Sequence, residues 1–302
     1  MPSHDDIAQL VHESGYPFEI EVGQELHELC FDVRLSHQYF NAQRQRPGEI
    51  DILATRSFTD DTENAGKVHR TLELVIECKD SRLPYVLFGF PASAPKPTRS
   101  RDGEIHYNKL RSLQDKFENY LALLSRGDEN PLAAPAVMSR HHQFSTPYRF
   151  HQAAAVELRA EKPKGDIKVD KLKLGVSERL RDSLHGLAAY LRIVQRSTFQ
   201  EAEALRANGY RYDPALWMTF FLLVHRTDHY RYTLQSGLSS ATHTTLFTSL
   251  QDEGESFPYL VDFVAFPGLA AAVAAIDSTF HAVTGHAMGF LEHAPNPRTR
   301  RA

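Results

Sequence analysis

The sequence predicts one α/β domain in which a mixed central sheet is flanked by helices. Short apolar stretches with the pattern of strands are interspersed with stretches that have helical spacing. The first three predicted strands follow one another directly, which favours a mixed sheet with helices on both sides. Apolar stretches near residues 216 and 260 are expected to be buried strands of the same sheet.

The individual elements follow from periodicity and from turn residues. Ser14-Gly15 ends a first short helix, and Pro17 starts the second. Lys162 to Gly165 is expected to be the turn of a hairpin, and Pro267-Gly268 leads into the last helix. Predicted helices cover residues 7–12, 17–29, 107–124, 177–196 and 269–283. Predicted strands cover residues 31–40, 49–55, 72–79, 153–160, 166–174, 214–225 and 259–266, and predicted loops cover 59–67, 90–102 and 127–147.

The composition is that of an ordinary globular protein. The chain has 302 residues, of which 42% are hydrophobic and 24% charged, and its formal net charge is -4. A negative chain does not coat nucleic acid by charge alone, so such contacts would need a local basic patch. Cys30 and Cys78 are expected to be buried free thiols in a reducing cytoplasm. No signal peptide and no apolar run of roughly 20 residues is evident, so no membrane partner is expected.

Two predicted strands carry charged residues on a shared face. Because alternate side chains of a strand point the same way, Asp51 is expected on the face opposite to Ile50 and Ile52. Glu77 and Lys79 share a face of the next strand in the same manner. If the two strands are neighbours, the three charged side chains converge at one end of the sheet. Such charges at the end of an apolar strand are unfavourable unless they are paired or bind a metal ion.

This set of side chains suits phosphodiester hydrolysis. Two carboxylates supply oxygen ligands for Mg²⁺, which also keeps several waters and binds phosphate oxygens. The metal activates water and neutralises charge on the phosphate, and a lysine can orient the water or stabilise the transition state. The residues Asp51, Glu77 and Lys79 therefore indicate a Mg²⁺-dependent phosphodiester-cleaving site, in which Mn²⁺ would substitute for Mg²⁺.

The pattern resembles the PD-(D/E)xK nuclease superfamily, which has the restriction-endonuclease-like fold. Asp51 corresponds to the aspartate of the first half-motif, although Ile50 replaces the preceding proline. The residues at 77–79, Glu-Cys-Lys, match the E-x-K half. The resemblance is sharp over residues 15–90 and topological over 177–285. It implies one domain (1–294) whose core comprises these two parts, with an unmatched insertion at 90–175. The residues at 295–302 are basic and are expected to form a disordered tail.

The resemblance also implies roles for the site residues. The superfamily has an acidic residue on the helix before the first core strand; Glu19 is the candidate here, with Glu21 and Glu25 as open alternatives. Asp51 and Glu77 would hold the metal, and Glu19 would assist directly or through water. The implied activity is that of a metal-dependent endonuclease in restriction, phage defence or repair, with DNA favoured over RNA as substrate. A homodimer is left open.

Basic residues near the predicted site are candidates for phosphate contacts, because such contacts fix a protein on the nucleic-acid backbone. They lie before the strand of Asp51 and in the stretch after Lys79. The candidates are Arg44, Arg46, Lys96, Arg99, Arg101 and Lys109.

Other interpretations of the same residues remain open. Glu77 and Lys79 could form a purely structural ion pair, or the chain could be an inactive nuclease-like module that binds nucleic acid or protein. His225 and His229 have a spacing that on a helix can hold zinc. Their predicted place is a strand end followed by a loop, which favours solvated histidines instead.

Overall fold

The computed structural model describes residues 3–41, 46–62, 66–81, 84–91, 97–99, 105–107, 148–160, 172–176, 180, 182–184, 186, 187, 190, 215–252 and 255–293. Within these residues the protein is a mixed α/β structure in which eleven strands form one mixed sheet with helices against it. The predicted class, a mixed sheet flanked by helices, is thus confirmed at this level.

The strands are numbered in chain order. They are β1 (Asp32–Asn41), β2 (Arg46–Thr62), β3 (Gly66–Lys79), β4 (Tyr85–Pro91), β5 (Pro97–Arg99), β6 (Ile105–Tyr107), β7 (Tyr148–Ala160), β8 (Leu172–Val176), β9 (Ala215–His225), β10 (His229–Thr233), β11 (Gly237–Ala241), β12 (His243–Asp252) and β13 (Glu255–Ala265). The main sheet has the order β1-β2-β3-β9-β13-β12-β7-β4-β10-β11, with β8 beside β7, while β5 and β6 pair with each other.

The first half of this sheet positions the candidate site. Strands β1, β2 and β3 are successive antiparallel neighbours, and β9 then pairs parallel to β3. The pairing of β3 with β9 continues to Lys79 and His225, so the two strands end together. Parallel strands need a crossover between them, which explains why 135 residues can separate β3 from its neighbour β9 (residues 80–214).

Helices α1 (His4–Glu13), α2 (Tyr16–Glu28) and α3 (Leu269–His293) have clear local signals. Ser3 caps α1 in a capping box with Asp6, which satisfies free backbone N–H groups at the helix start. Gly15 separates α1 from α2 at a φ of 85°, a conformation that glycine adopts without strain. A further helical segment, here called the 180–190 segment, comprises residues 180, 182–184, 186, 187 and 190.

Two apolar cores lie on opposite faces of the sheet. One joins α2 and α3 to the strands through side chains such as Phe18, Ile52 and Phe280. The other joins the 180–190 segment to the opposite face, and Leu187 and Val75 belong to it. Burial of each large side chain contributes about 1.5–3 kcal/mol, so both faces of β2, β3 and β9 are anchored by helices.

Several predicted elements are confirmed, among them α1, α2, the strands β1 to β3, the β7–β8 hairpin, β9, β13 and α3. The predicted loop 59–67 is wrong, because β2 and β3 continue as a hairpin ladder to Thr62 and Gly66. The side chains of Thr59 and Asp61 are exposed there while the backbones of the two strands pair. Strands β4, β5, β6, β10, β11 and β12 were not predicted, and β5 lies within the predicted loop 90–102. The predicted elements at 107–124 and 127–147, and the tail at 295–302, lie outside the described residues apart from Tyr107.

Strand β7 lies within the expected insertion 90–175, yet it pairs with β4 and β12 in the main sheet. The extent of an insertion therefore stays a prediction.

Of the two cysteines, Cys78 is buried as expected, but Cys30 is exposed in the turn that follows α2. The expectation of burial for Cys30 is wrong, since its φ of 65° places it in a surface turn.

Candidate metal centre

Asp51, Glu77 and Lys79 lie together where β2 and β3 separate. The Lys79 Nζ donates a hydrogen bond to Glu77 Oε2 at 3.2 Å and lies 3.9 Å from Asp51 Oδ2. The same Nζ also donates to the backbone carbonyl of Cys78 at 3.0 Å. One ammonium group thus lies within 4 Å of carboxylates from two different strands.

The position of Asp51 results from a break in the β2–β3 ladder. The pairing of the two strands ends at Ile52 and Ile76, one residue before Asp51 and Glu77 would pair. In place of a strand hydrogen bond, the backbone N–H of Cys78 donates to Asp51 Oδ2 at 2.7 Å. A charged acceptor strengthens such a bond. The Asp51 carboxylate is therefore held at the edge of β3.

The predicted alternation of side chains fails at this point. Ile52 packs in the core with α2, whereas Ile50 packs in the core of the 180–190 segment, so the two residues lie on opposite faces. The cause lies across the β1–β2 ladder, where Ser36 has a φ of 51° between the regular pairs Leu35–Ile52 and His37–Ile50. A residue in this left-handed conformation interrupts the regular alternation of side chains. Asp51 lies opposite Ser36, at the position where the side chains of β2 change from one face of the sheet to the other.

Burial is the largest influence on the pKa values of the two carboxylates, and the neighbouring charges add to it or oppose it. Burial, followed by the charge of Asp51, raises the pKa of Glu77 to about 7. Burial likewise raises the pKa of Asp51, although Lys79 and the Cys78 N–H oppose this shift. Burial alone would lower the pKa of Lys79, but the two carboxylates raise it overall. All three groups therefore take up protons more readily than usual, as expected where one ammonium does not balance the surrounding carboxylates.

Glu19 belongs to the same electrostatic cluster from α2. Its pKa is raised to about 7 by burial, then by the charges of Asp51 and Glu49. Of the alternatives, Glu21 is engaged elsewhere, because both its carboxylate oxygens accept hydrogen bonds from Arg226 at 2.8 and 3.3 Å. The geometry therefore favours Glu19 over Glu21 as the acidic residue of the helix.

Ser183 is a site residue that sequence reasoning missed. This buried side chain of the 180–190 segment donates a hydrogen bond to the Glu77 carboxylate. Gly186 lies on the same segment, and a Cβ there would be 3.9 Å from Glu77 Oε1. The helical pattern predicted that this segment packs on the sheet, but only the three-dimensional arrangement identifies which of its polar residues reaches Glu77.

The histidines at 225 and 229 are buried, so the expectation of solvated side chains is wrong. His225 Nε2 lies 3.1 Å from His229 Nδ1, and His229 Nε2 lies 2.7 Å from Thr244 Oγ1. Burial lowers the pKa of His225 to about 3 and that of His229 to about 2. Two neutral rings therefore share a hydrogen bond beneath the end of β9, against Phe263.

Two of the residues predicted to contact phosphate lie in described strands. Arg46 begins β2 and Arg99 ends β5. The other candidates, Arg44, Lys96, Arg101 and Lys109, lie outside the described residues. Their role in binding stays a prediction.

The donor groups of the cluster fit a hard cation. Among the described residues, no group of three or more His, Cys, Asp or Glu side chains has the spacing of a metal-binding cluster. Mg²⁺ needs only one or two protein carboxylates, since it keeps several water ligands. Asp51 and Glu77 supply such oxygens, and a bound cation would oppose the burial and the Asp51 charge that raise the pKa of Glu77.

Comparisons with known proteins add no relationship. No protein-family model, curated protein or solved structure matches this chain. None of the helices in the described part of the chain has the length and apolar character needed to cross a membrane.

Proposed function

We propose that this protein is a Mg²⁺-dependent nuclease with a restriction-endonuclease-like core. One observation carries the proposal: carboxylates from two neighbouring strands, Asp51 and Glu77, lie within 4 Å of the same lysine nitrogen at a break in the sheet. Two buried carboxylates beside a single ammonium group leave one negative charge uncompensated, which is unfavourable in a poorly solvated site unless a further cation binds there. A divalent cation with a phosphodiester substrate would provide that compensation.

In this proposal each side chain has a defined task. Asp51 and Glu77 hold the metal through their carboxylate oxygens, and Glu19 assists directly or through a water molecule. Bound Mg²⁺ supplies the positive charge that lowers the pKa of water and neutralises the phosphate oxygens. Lys79 orients the attacking water or stabilises charge on the phosphate as the bond breaks. Ser183 keeps the Glu77 carboxylate in one orientation.

DNA is the favoured substrate, and RNA is the alternative to be tested beside it. Restriction, phage defence and repair are the contexts that the proposed fold suggests. The basic candidates around the site would position the nucleic-acid backbone without reading its sequence.

The experiment is a cleavage assay with plasmid, single-stranded DNA and RNA in the presence of Mg²⁺ or Mn²⁺. Wild type is compared with Asp51→Ala and Lys79→Ala. We expect cleavage by the wild type that requires the metal and a loss of at least about 100-fold in each variant, the size of effect seen when one transition-state stabilising group is removed. Cleavage that persists in both variants would reject the site.

A second candidate function is an inactive nuclease-like module that binds nucleic acid or protein. The observation that favours it is the position of Lys79 itself, whose ammonium group already pairs with both carboxylates. A lysine fixed in this way could replace a metal ion permanently. Metal titration separates the two candidates: nucleic-acid binding without any divalent-cation binding at Asp51 and Glu77 would favour the inactive module.

A further inference from the structure

Arg226 connects three segments that meet at the candidate site. It directly follows His225, the last residue of β9. Its Nε donates to Asp80 Oδ1 at 2.6 Å, and Asp80 directly follows Lys79 at the end of β3. Its two terminal nitrogens donate to the Glu21 carboxylate on α2. Arg226 thus joins α2 to the ends of β3 and β9.

The arginine is also held in a fixed orientation. Its Cζ lies 4.5 Å from the centre of the Phe18 ring, which is fully buried in the core beneath α2. Stacking on an aromatic ring combined with a two-pronged carboxylate contact is a geometry that arginine forms and lysine does not. Bonds to Asp80 and Glu21, together with this stacking, leave the guanidinium little freedom to move.

Glu19 lies on α2 between two residues that Arg226 contacts, Phe18 and Glu21. Glu19 lies near enough to Asp51, Glu49 and Lys79 for their charges to act on it, and this proximity depends on the position of α2 beside β2 and β3. The apolar core fixes the distance between α2 and the sheet, but nonpolar contacts are not directional. Arg226 supplies directional contacts at the end of α2 that carries Glu19.

We propose that Arg226 is a positioning residue that sets the place of Glu19 relative to Asp51 and Glu77. This inference rests on the proposed function, because it gives Glu19 a role at the metal. Arg226 also offsets one of the two negative charges that Glu21 and Asp80 place near a cluster that already has an excess of them. It therefore acts on the site without touching metal or substrate.

The test is a double-mutant cycle on metal affinity. Mn²⁺ binding is measured by calorimetry for wild type, Arg226→Met, Glu19→Gln and the double variant, all as the full chain. Loss of a residue that orients a metal ligand weakens binding by about 10- to 100-fold, and we expect this loss for Arg226→Met. In the Glu19→Gln background the same substitution should change the affinity less than about threefold, because residues that act through one another are not additive.

Arg56 provides a matched control. It forms a similar connection elsewhere on the same face of the sheet, with an ion pair to Asp277 of α3 and its guanidinium 4.7 Å from the ring centre of Phe31. Arg56→Met is expected to lower the melting temperature but to leave Mn²⁺ affinity unchanged. If Arg226→Met does not fold, Glu21→Gln removes one half of the connection and carries the same expectation.

The outcomes are distinct. Equal losses of affinity with and without Glu19, or an equal loss in Arg56→Met, would overturn the positioning role. Mn²⁺ binding that Asp51→Asn abolishes but Arg226→Met leaves intact would also overturn it, while the proposed function stands. No Mn²⁺ binding by the wild type would reject the proposed function and this inference together.

Discussion

The buried carboxylate of Glu77 should make the fold less stable as pH rises. Its side chain lies against Asp51 and Lys79 with 9% of its surface exposed, so ionisation places a second negative charge in a poorly solvated site. Replacement by glutamine keeps the size of the side chain and removes the titration. The comparison of wild type with Glu77→Gln across pH therefore isolates the contribution of this one group.

The magnitude follows from proton linkage. The pKa of Glu77 is about 7 in the fold against a reference value of 4.5. A group with a raised folded-state pKa contributes stability that is fully present below its unfolded-state pKa and is lost as pH rises through the folded-state value. The difference corresponds to about 3 kcal/mol. Wild type should thus lose about 3 kcal/mol relative to Glu77→Gln between about pH 4.5 and about pH 8.

The assay is urea unfolding followed by circular dichroism at several pH values, with and without millimolar Mg²⁺. The free energies of unfolding should diverge between the two proteins as pH rises. Mg²⁺ should restore wild type at high pH and leave the variant unchanged, because a ligand that binds only the folded state stabilises it. Parallel curves for the two proteins would refute the assignment of a raised pKa to Glu77.

Three other substitutions test the burial and packing of particular side chains. The folded-state pKa values of His225 and His229, about 3 and 2, lie below the reference of 6.5. Stability is therefore lost as pH falls below 6.5, and His229→Asn should reduce that slope by about 1.4 kcal/mol per pH unit in the same unfolding assay. Gly48→Ala would place a Cβ 2.4 Å from the Tyr39 ring and should destabilise by about 1–3 kcal/mol. Gly285→Ala, in open space on α3, should stabilise by up to about 1 kcal/mol; equal melting temperatures would contradict the packing argument.

Most elements near the site could be predicted from local pattern alone. Pro17 marked the start of α2, and the apolar run before His225 marked β9, because helix signals and buried strands leave clear traces in sequence. The hairpin extension around Thr62 and Gly66 could not be found this way. Its side chains are polar, and pairing between backbones does not depend on apolar residues. The strands β10 and β11 were missed for the same reason: their described side chains are mostly polar or exposed.

The site was predictable in its members but not in its geometry. Charged residues at the ends of apolar strands identified Asp51, Glu77 and Lys79. Alternation of side chains predicted that Ile50 and Ile52 lie on one face of the sheet. Ser36, which has a left-handed conformation in the neighbouring strand β1, prevents this arrangement. Contacts between distant segments leave no local pattern, so the bond from Ser183 to Glu77 was not foreseen.

The same limit applies to Arg226 and to the histidines. Arg226 lies 146 residues from Asp80 and 205 residues from Glu21. No periodicity connects such positions. His225 and His229 looked like solvated residues because they end a strand, yet the rings of Tyr85 and Phe263 enclose His225.

A crystal structure determined with Mn²⁺ tests the central claim most directly, since anomalous scattering locates the ion without assumptions about activity. We predict a peak bridged by carboxylate oxygens of Asp51 and Glu77 at about 2.0–2.2 Å, the range for small hard cations. The Lys79 ammonium should have moved away from at least one carboxylate. A crystal soaked in Mn²⁺ that shows no peak at these residues, with Lys79 still bound to Glu77, would contradict the claim.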